Sequence, residues 1–262
     1  MSDRGHRPGA VGPDRAGGRL RLGILSDIHA NLEALDAALA FCQEQEVSEY
    51  LCLGDIVGYG ADPDLCVERI RGLRCRAVAG NHDYAVVNRT SVKTFNEPAR
   101  QAIYWTRERI TAETREFLES LELVEAYRSF LLVHASPSGP GNWDYVLSLA
   151  DAELEFSAFS EPACLVGHTH VPLAVRRHDY RSRAQRIVEP EFEIAANARY
   201  LINCGSVGQP RDGDPRLCVV LFDTRTNLMS FHRLSYDVGT AQRKIISAGL
   251  PVILAQRLSQ GY

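Results

Sequence analysis

The sequence contains no run of apolar residues long enough to span a bilayer. Its first residues, MSDRGHRPGAVGPDRAGGR, lack the apolar stretch of a signal peptide, so neither a secreted nor a membrane-spanning protein is expected. There is no C-x-x-C pair, and the seven cysteines (42, 52, 66, 75, 164, 204 and 218) are scattered and odd in number. They read as reduced core thiols of a cytoplasmic protein, not as a disulfide framework or a thiolate zinc site. A basic excess is also missing: Lys+Arg number 29 against Asp+Glu 33, a net charge of −4, which argues against a nucleic-acid polymer or an anionic membrane as partner. G-x-x-x-x-G-K-[ST], G-x-G-x-x-G and G-x-S-x-G are all absent, so NTP-driven, dinucleotide-dependent and serine-hydrolase chemistries lack their signatures. No internal repeat is present.

What is present is an ordinary globular composition, 45% hydrophobic and 24% charged over 262 residues, enough for one α/β domain with insertions. Residues 1–19 are rich in Gly, Arg and Pro with little to bury, and predict a flexible leader ahead of a domain over 20–262. From Leu20 short apolar runs (LRLGILS, EYLCLG, CRAVAG, RSFLLVH, ACLVGH, ARYLINCG) alternate in the first half with helical stretches such as NLEALDAALAFCQEQ, predicting βαβ units and a largely parallel sheet. Between residues 84 and 125 the pattern is helical, as for an inserted cap. After Gly167 hairpin-prone segments predict a second, mostly antiparallel sheet, and two short helices close the chain, one ended by Gly249 and the next opened by Pro251.

The informative residues stand at the ends of the apolar runs. GILS leads into Asp27 and His29, YLCLG into Asp55, AVAG into Asn81, His82 and Asp83, FLLV into His134, and CLVG into His168 and His170. The carboxyl ends of parallel strands gather along one edge of an open α/β sheet, so these groups are expected to converge in one crevice. Each has an ordinary reading alone: a lone histidine is more often a satisfied side chain than a ligand, Asp27 suits an Asx turn, Asn81 a left-handed turn, and glycines 54, 80 and 167 strand-to-loop punctuation. Jointly those readings require five separate turns to choose ligand residues at the same end of five strands.

The donor set is oxygen and nitrogen without thiolate, and too large for one tetrahedral site. Two ions sharing a carboxylate would use it, which favours Mn or Fe, with Zn, Ni or Co as further candidates. Two ions about 3.5–4 Å apart activate a bridging water and clamp both ends of an in-line displacement at phosphorus. Phosphoester hydrolysis is the chemistry predicted.

Taken together, D-x-H at Asp27 to His29, G-D at Gly54 and Asp55, G-N-H-D at Gly80 to Asp83, His134 alone and G-H-T-H at Gly167 to His170 resemble the five blocks of the calcineurin-like metallophosphoesterase superfamily. The likeness spans about Leu20 to Asp223. SDIHANLEAL, LGDIVGYG, GHTHVP and INCGSVGQPRDGDPR look most like its bacterial branch of small phosphatases, phosphodiesterases and diadenosine tetraphosphate hydrolases. The resemblance implies a four-layer α/β/β/α sandwich with a helical cap insertion. It implies one metal held by Asp27, His29 and His170, another by Asn81, His134 and His168, and Asp55 bridging them. His82 would bind no metal; it would stabilise the phosphate and protonate the leaving oxygen after attack by a metal-bound hydroxide.

One departure stands out. The protein serine/threonine phosphatase branch has Asp-Arg where this chain has Gly58-Tyr59, so the Asp that orients the catalytic His and the Arg that grips phosphate are both missing. Arg211 is the candidate replacement grip, since a guanidinium matches phosphate oxygens bidentately, against its reading as a solvated loop arginine. Asn31 reads first as a helix N-cap and second as a substrate contact. Tyr59, Phe95 and Asn96 are candidates to line the opening, Trp105 is a packing anchor, and Arg107 and Arg109 form a solvated face. The expected substrate is a small phosphorylated molecule, a monoester or diester first and a dinucleoside tetraphosphate second. A phosphoprotein phosphatase, and a scaffold that keeps the fold without the chemistry, are the alternatives. A homo-oligomer stays open.

Overall fold

The computed structural model describes residues 20–262; the leader expected over 1–19 lies outside them. Twelve strands are described: β1 Arg21–Leu25, β2 Glu49–Cys52, β3 Cys75–Ala77, β4 Val124–Tyr127, β5 Phe130–Val133, β6 Ala163–Val166, β7 Leu173–Arg177, β8 Gln185–Ile187, β9 Glu191–Glu193, β10 Arg199–Asn203, β11 Leu217–Asp223 and β12 Leu228–Leu234. The helices are α1 Leu32–Glu44, α2 Pro63–Gly72, α3 Asn81–Val86, α4 Glu97–Arg107, α5 Ala112–Ser120, α6 Leu149–Glu155, α7 Val238–Ser247 and α8 Val252–Gln256.

The strands form two six-stranded sheets, in the orders β3-β2-β1-β11-β12-β9 and β4-β5-β6-β10-β7-β8. Each has a parallel half, β1 with β2 and β3 in one and β5 with β6 and β10 in the other, completed by antiparallel neighbours. This corrects the division expected from sequence. The hairpin-prone segments after Gly167 do not build a sheet of their own; β9, β11 and β12 extend the first sheet while β7, β8 and β10 extend the second. Hairpin propensity marks the antiparallel pairs but carries no information about which sheet edge receives them.

Side-chain alternation along the strands sorts the core into layers. Leu22 and Ile24 of β1, Phe130 and Leu132 of β5, Leu165 of β6 and Phe222 of β11 meet between the sheets. Val133, Cys164 and Val166 face outward with Phe156, beside α6. Leu25 and Cys52 face the other way, towards Leu35 of α1 and Val67 of α2. The result is a four-layer α/β/β/α sandwich. All four residues of β2 and of β6 and all seven of β11 are buried, as strands covered on both faces require.

Local chemistry sets the helix ends. Thr111 caps α5 and Asp237 caps α7 through side-chain oxygens that accept backbone N–H groups, and Ser148 with Asp151 makes a capping box on α6. Gly249, at φ +73°, follows α7, and Pro251 precedes α8. The helical passage expected over 84–125 holds α4, α5 and a 3-10 turn at Val92–Thr94, with β4 already begun at Val124. Ala99 and Ala102 of α4 pack with Ala241 and Ile245 of α7, and Trp105 Nε1 donates to the Ala248 carbonyl at 2.9 Å. Arg107 departs from the solvated face expected of it: it is half-buried and donates to the Ala85 carbonyl of α3.

Phe130 couples the two sheets. It is fully buried and meets the Phe222 ring edge-on at 4.9 Å. Phe130→Ala leaves a cavity there and is expected to cost about 3–5 kcal/mol of unfolding free energy, read from urea denaturation.

Candidate metal centre

The carboxyl ends of β1, β2 and β3 in one sheet and of β5 and β6 in the other open into loops that bond one another. Asp27 N–H donates to Gly54 O, His29 N–H to Asp55 O, Gly167 N–H to His134 O and Gly208 N–H to Asp27 O. Five of the residues singled out by sequence, Asp27, His29, Asp55, His168 and His170, have φ between +52° and +67°. A left-handed non-glycine residue costs on the order of 1 kcal/mol or more, and such strain gathers at functional sites. Gly80 approaches Asp55 so closely that a Cβ on it would collide with the Asp55 carboxylate and amide, which explains a glycine that looked like punctuation.

The side chains converge. Donor atoms of Asp27, His29, Asp55 and His170 lie within 4.8 Å of one another, as do those of Asp55, His134 and His168, so Asp55 belongs to both groups. Asp55 Oδ1 accepts the His82 N–H at 2.8 Å, while Oδ2 lies 3.3 Å from His134 Nε2 and 3.6 Å from His29 Nε2. Asp27 Oδ2 accepts from Ser26 Oγ and the His168 N–H; its Oδ1 has no hydrogen-bond partner and lies 3.2 Å from His170 Nε2. Asn81 Oδ1, at the start of α3, is likewise buried without a partner.

The imidazoles are oriented by backbone carbonyls. Nδ1 of His29, His134 and His170 lies 3.2, 2.7 and 2.6 Å from the carbonyls of Val57, Leu53 and Gln209, and Nε2 of His168 lies 2.9 Å from Trp143 O. A nitrogen facing a carbonyl carries the proton, so the other ring nitrogen presents a lone pair. His29 and His170 therefore aim two lone pairs at each other across 3.2 Å. Acceptors facing acceptors in a buried site repel unless a cation stands among them, and a backbone carbonyl behind each imidazole is the support that metal-binding histidines have. The residues fit divalent ions.

Charge is distributed unevenly. Burial opposes ionisation of Asp55, but the imidazoles of His134, His82 and His29 outweigh it and hold the carboxyl well below its usual range. Burial likewise opposes the charge of His134, but Asp55 pushes that imidazole up to about 9, so without an ion its Nε2 keeps a proton facing Asp55 and offers a lone pair only when a cation takes that proton's place. Burial pushes Asp27 up to about 6 and His168 down to about 3.

Around the cluster, His82 is buried, and its Nδ1 has no partner. Among the described residues no carboxylate replaces the one absent at Gly58-Tyr59; His82 is instead flanked by the rings of Tyr59 at 4.4 Å and Phe95 at 5.0 Å, with Gly58 leaving room for Nδ1. Arg211 places its guanidinium 5.6 Å over Tyr59. Asn31 spends its amide inside the protein: Oδ1 caps α1 at Ala34 N–H, and Nδ2 donates to Gly208 O and to the Tyr236 hydroxyl. Asn96 caps α4 through Ala99 N–H.

The protein belongs to the calcineurin-like phosphoesterase superfamily. The model of that superfamily domain matches residues 20–227. The chain is 37% identical over 245 residues to the uncharacterised protein MJ0912 of Methanocaldococcus jannaschii, covering 92% of this chain and 98% of that one. It is similar to the crystal structure of a metallophosphoesterase from Sphaerobacter thermophilus, with a TM-score of 0.83 and 40% identity over 94% of this chain and all of the other. The fold is shared with the hypothetical protein PH1004 of Pyrococcus horikoshii, at a TM-score of 0.77, 19% identity and coverage of 93% and 99%. The chain is thus a metal-dependent phosphoesterase with a buried Asp/His metal-binding cluster. Among the described residues no helix is long and apolar enough to cross a membrane.

Several residues that shape the site have no role assigned by sequence. Tyr145 stacks on His168 at 4.1 Å, and Trp143, itself left-handed at φ +64°, offers the carbonyl that orients the same ring. Asp83 ties two loops together: Oδ1 accepts from Ile56 and Val57 N–H at 2.9 and 3.1 Å, and Oδ2 from Gly80 N–H at 3.0 Å. An acid three residues after the residue preceding a helix is a capping-box signal, and that spacing could have found it. Asp83→Asn sets an amide N–H against a backbone N–H. It is expected to destabilise the fold by about 1–3 kcal/mol and to lower bound divalent metal per chain, read by thermal unfolding and elemental analysis.

Proposed function

We propose that the protein hydrolyses an ester of a small phosphorylated molecule, a monoester or diester, with a dinucleoside tetraphosphate as the alternative substrate. The observation that carries this reading is the Asp55 carboxylate shared by two buried groups of lone pairs. One divalent ion would be held by Asp27, His29 and His170 and a second by Asn81, His134 and His168, with Asp55 common to both. The all-oxygen-and-nitrogen donor set favours Mn or Fe, with Zn, Ni and Co compatible. When bound, the ions supply an activated water at neutral pH and neutralise phosphate charge.

The chain's own residues do the rest. Asp55 Oδ1, fixed by the His82 N–H, keeps Oδ2 turned into the cluster. His82 stays neutral because burial pushes its imidazole down to about 4. With no acceptor near Nδ1, its proton is assigned to Nε2, from where the neutral ring donates a hydrogen bond to the phosphate and its leaving oxygen. Tyr59 and Phe95 hold that ring by packing. Arg211 lies beside these rings, ready to meet phosphate oxygens. The seven cysteines are all free, which suits the cytoplasm, and no partner beyond the substrate is needed for this chemistry.

The test is turnover of p-nitrophenyl phosphate and bis-p-nitrophenyl phosphate by Mn-loaded protein, alongside metal analysis. Asp55→Asn is expected to lose metal together with activity, and His82→Asn to keep metal while kcat falls about 10²- to 10⁴-fold. Protein that binds no divalent ion and gains no activity with Mn would overturn the proposal.

A further inference from the structure

Beyond the metal cluster, the polar chain continues outward through Gln209. This residue is buried; its carbonyl faces His170 Nδ1 at 2.6 Å, and its side-chain Oε1 accepts three N–H groups from two arginines. Arg211 donates through Nη2 at 2.7 Å and Nε at 3.3 Å, and Arg257, from the 3-10 turn Arg257–Ser259 after α8, donates through Nη1 at 3.2 Å. Both arginines are half-buried, and Arg257 Nε is fully buried without a hydrogen-bond partner.

Neighbouring cations behave differently. Arg216 pairs with Asp214 at 2.7 Å, Arg233 pairs with Asp212, and Lys244 pairs with Glu33 and Asp62. Among the described residues, no carboxylate lies within ion-pair distance of Arg211 or Arg257. Two guanidinium groups that share one neutral amide oxygen repel each other, and half-buried charge without a counter-charge is costly. The arrangement is satisfied by an anion whose oxygens accept from both forks.

Resting on the phosphoesterase reading above, we propose that Arg211 and Arg257 form a subsite for a second phosphate, so that the substrate class is a phosphoanhydride carrying two linked phosphates. A terminal phosphate has three free oxygens. With metal ions and His82 facing it, two further arginine forks offer more donors than those oxygens need. They also lead away from Asp55: Tyr59 touches His29 at 4.6 Å, His82 at 4.4 Å and the Arg211 guanidinium at 5.6 Å, and Arg257 is joined to this group by its hydrogen bond to Gln209. Hydrolysis of such a substrate forms one P–O bond to the oxygen of water and breaks one P–O bond of the bridge. The proton released goes to the departing phosphate, which the arginines hold.

The test uses inorganic phosphate and pyrophosphate, titrated calorimetrically into Mn-loaded protein carrying His82→Asn to slow turnover, with free Mn in excess of either anion so that chelation does not strip the site. Protein with both arginines intact is expected to bind pyrophosphate at least about tenfold more tightly than phosphate, the factor that one charge-assisted hydrogen bond supplies. Arg257→Gln added to it is expected to remove that difference and Arg257→Lys to retain part of it, with both variants matching it in far-UV circular dichroism. Equal affinity of the arginine-intact protein for the two anions, or an undiminished difference in Arg257→Gln, would overturn the subsite. Pyrophosphate selectivity, where wild-type protein fails to turn over p-nitrophenyl phosphate with Mn, would instead sink the catalytic reading and leave the subsite standing.

Discussion

The constraint on which the rest of the structure depends is the meeting of lone pairs at Asp55. Its Oδ2 lies 3.3 Å from His134 Nε2 and 3.6 Å from His29 Nε2, and His29 Nε2 lies 3.2 Å from His170 Nε2, all within one buried space. A cation among those donors would relieve their crowding, which is the role that the phosphoesterase family and the buried Asp/His cluster give this part of the protein. The two parallel half-sheets bring strand ends from both layers to one point, and the antiparallel strands seal the flanks.

Holding that point requires backbone that would otherwise relax. Left-handed conformations at Asp27, His29, Asp55, His168 and His170 are maintained by hydrogen bonds between loops, among them Gly208 N–H to Asp27 O and Ser206 Oγ to Asp27 O, that tie the segment after β10 to the segment after β1. The strain sits where the candidate donors converge, and the cores between and outside the sheets offset it. Substitutions in Asp83 or Phe130 act on this scaffold without touching a donor atom.

The convergence of Asp27, His29, Asp55, His134, His168 and His170 was legible in the sequence because each follows an apolar strand, and a strand end is a local feature. The four-layer class was legible by resemblance. Which sheet each late strand joins was not, because pairing of β9 with β12 or β10 with β6 is decided by contacts far apart in the chain. Asn31 could be read as a cap from its place before an apolar helix. Gln209 and Arg257 could not be linked, since they lie 48 residues apart and meet only when the last turn of the chain folds back over the loop after β10. The sequence showed that the orienting Asp of His82 is missing but not what stands there; the rings of Tyr59, Phe95 and His29 do, a contact with no motif.

That substitution changes what the histidine can do. An imidazole backed by a carboxylate is pulled towards its charged form and can give a full proton to a poor leaving group. One enclosed by Tyr59 and Phe95, with Nδ1 unpartnered, is held neutral and is the weaker acid catalyst. A site built this way suits leaving groups that need little protonation. Phosphate departing from an anhydride needs less protonation than an alkoxide does. The rings around His82 are therefore compatible with the two-phosphate substrate proposed from Arg211 and Arg257, and the two features are linked, because the Arg211 guanidinium also helps to keep His82 neutral.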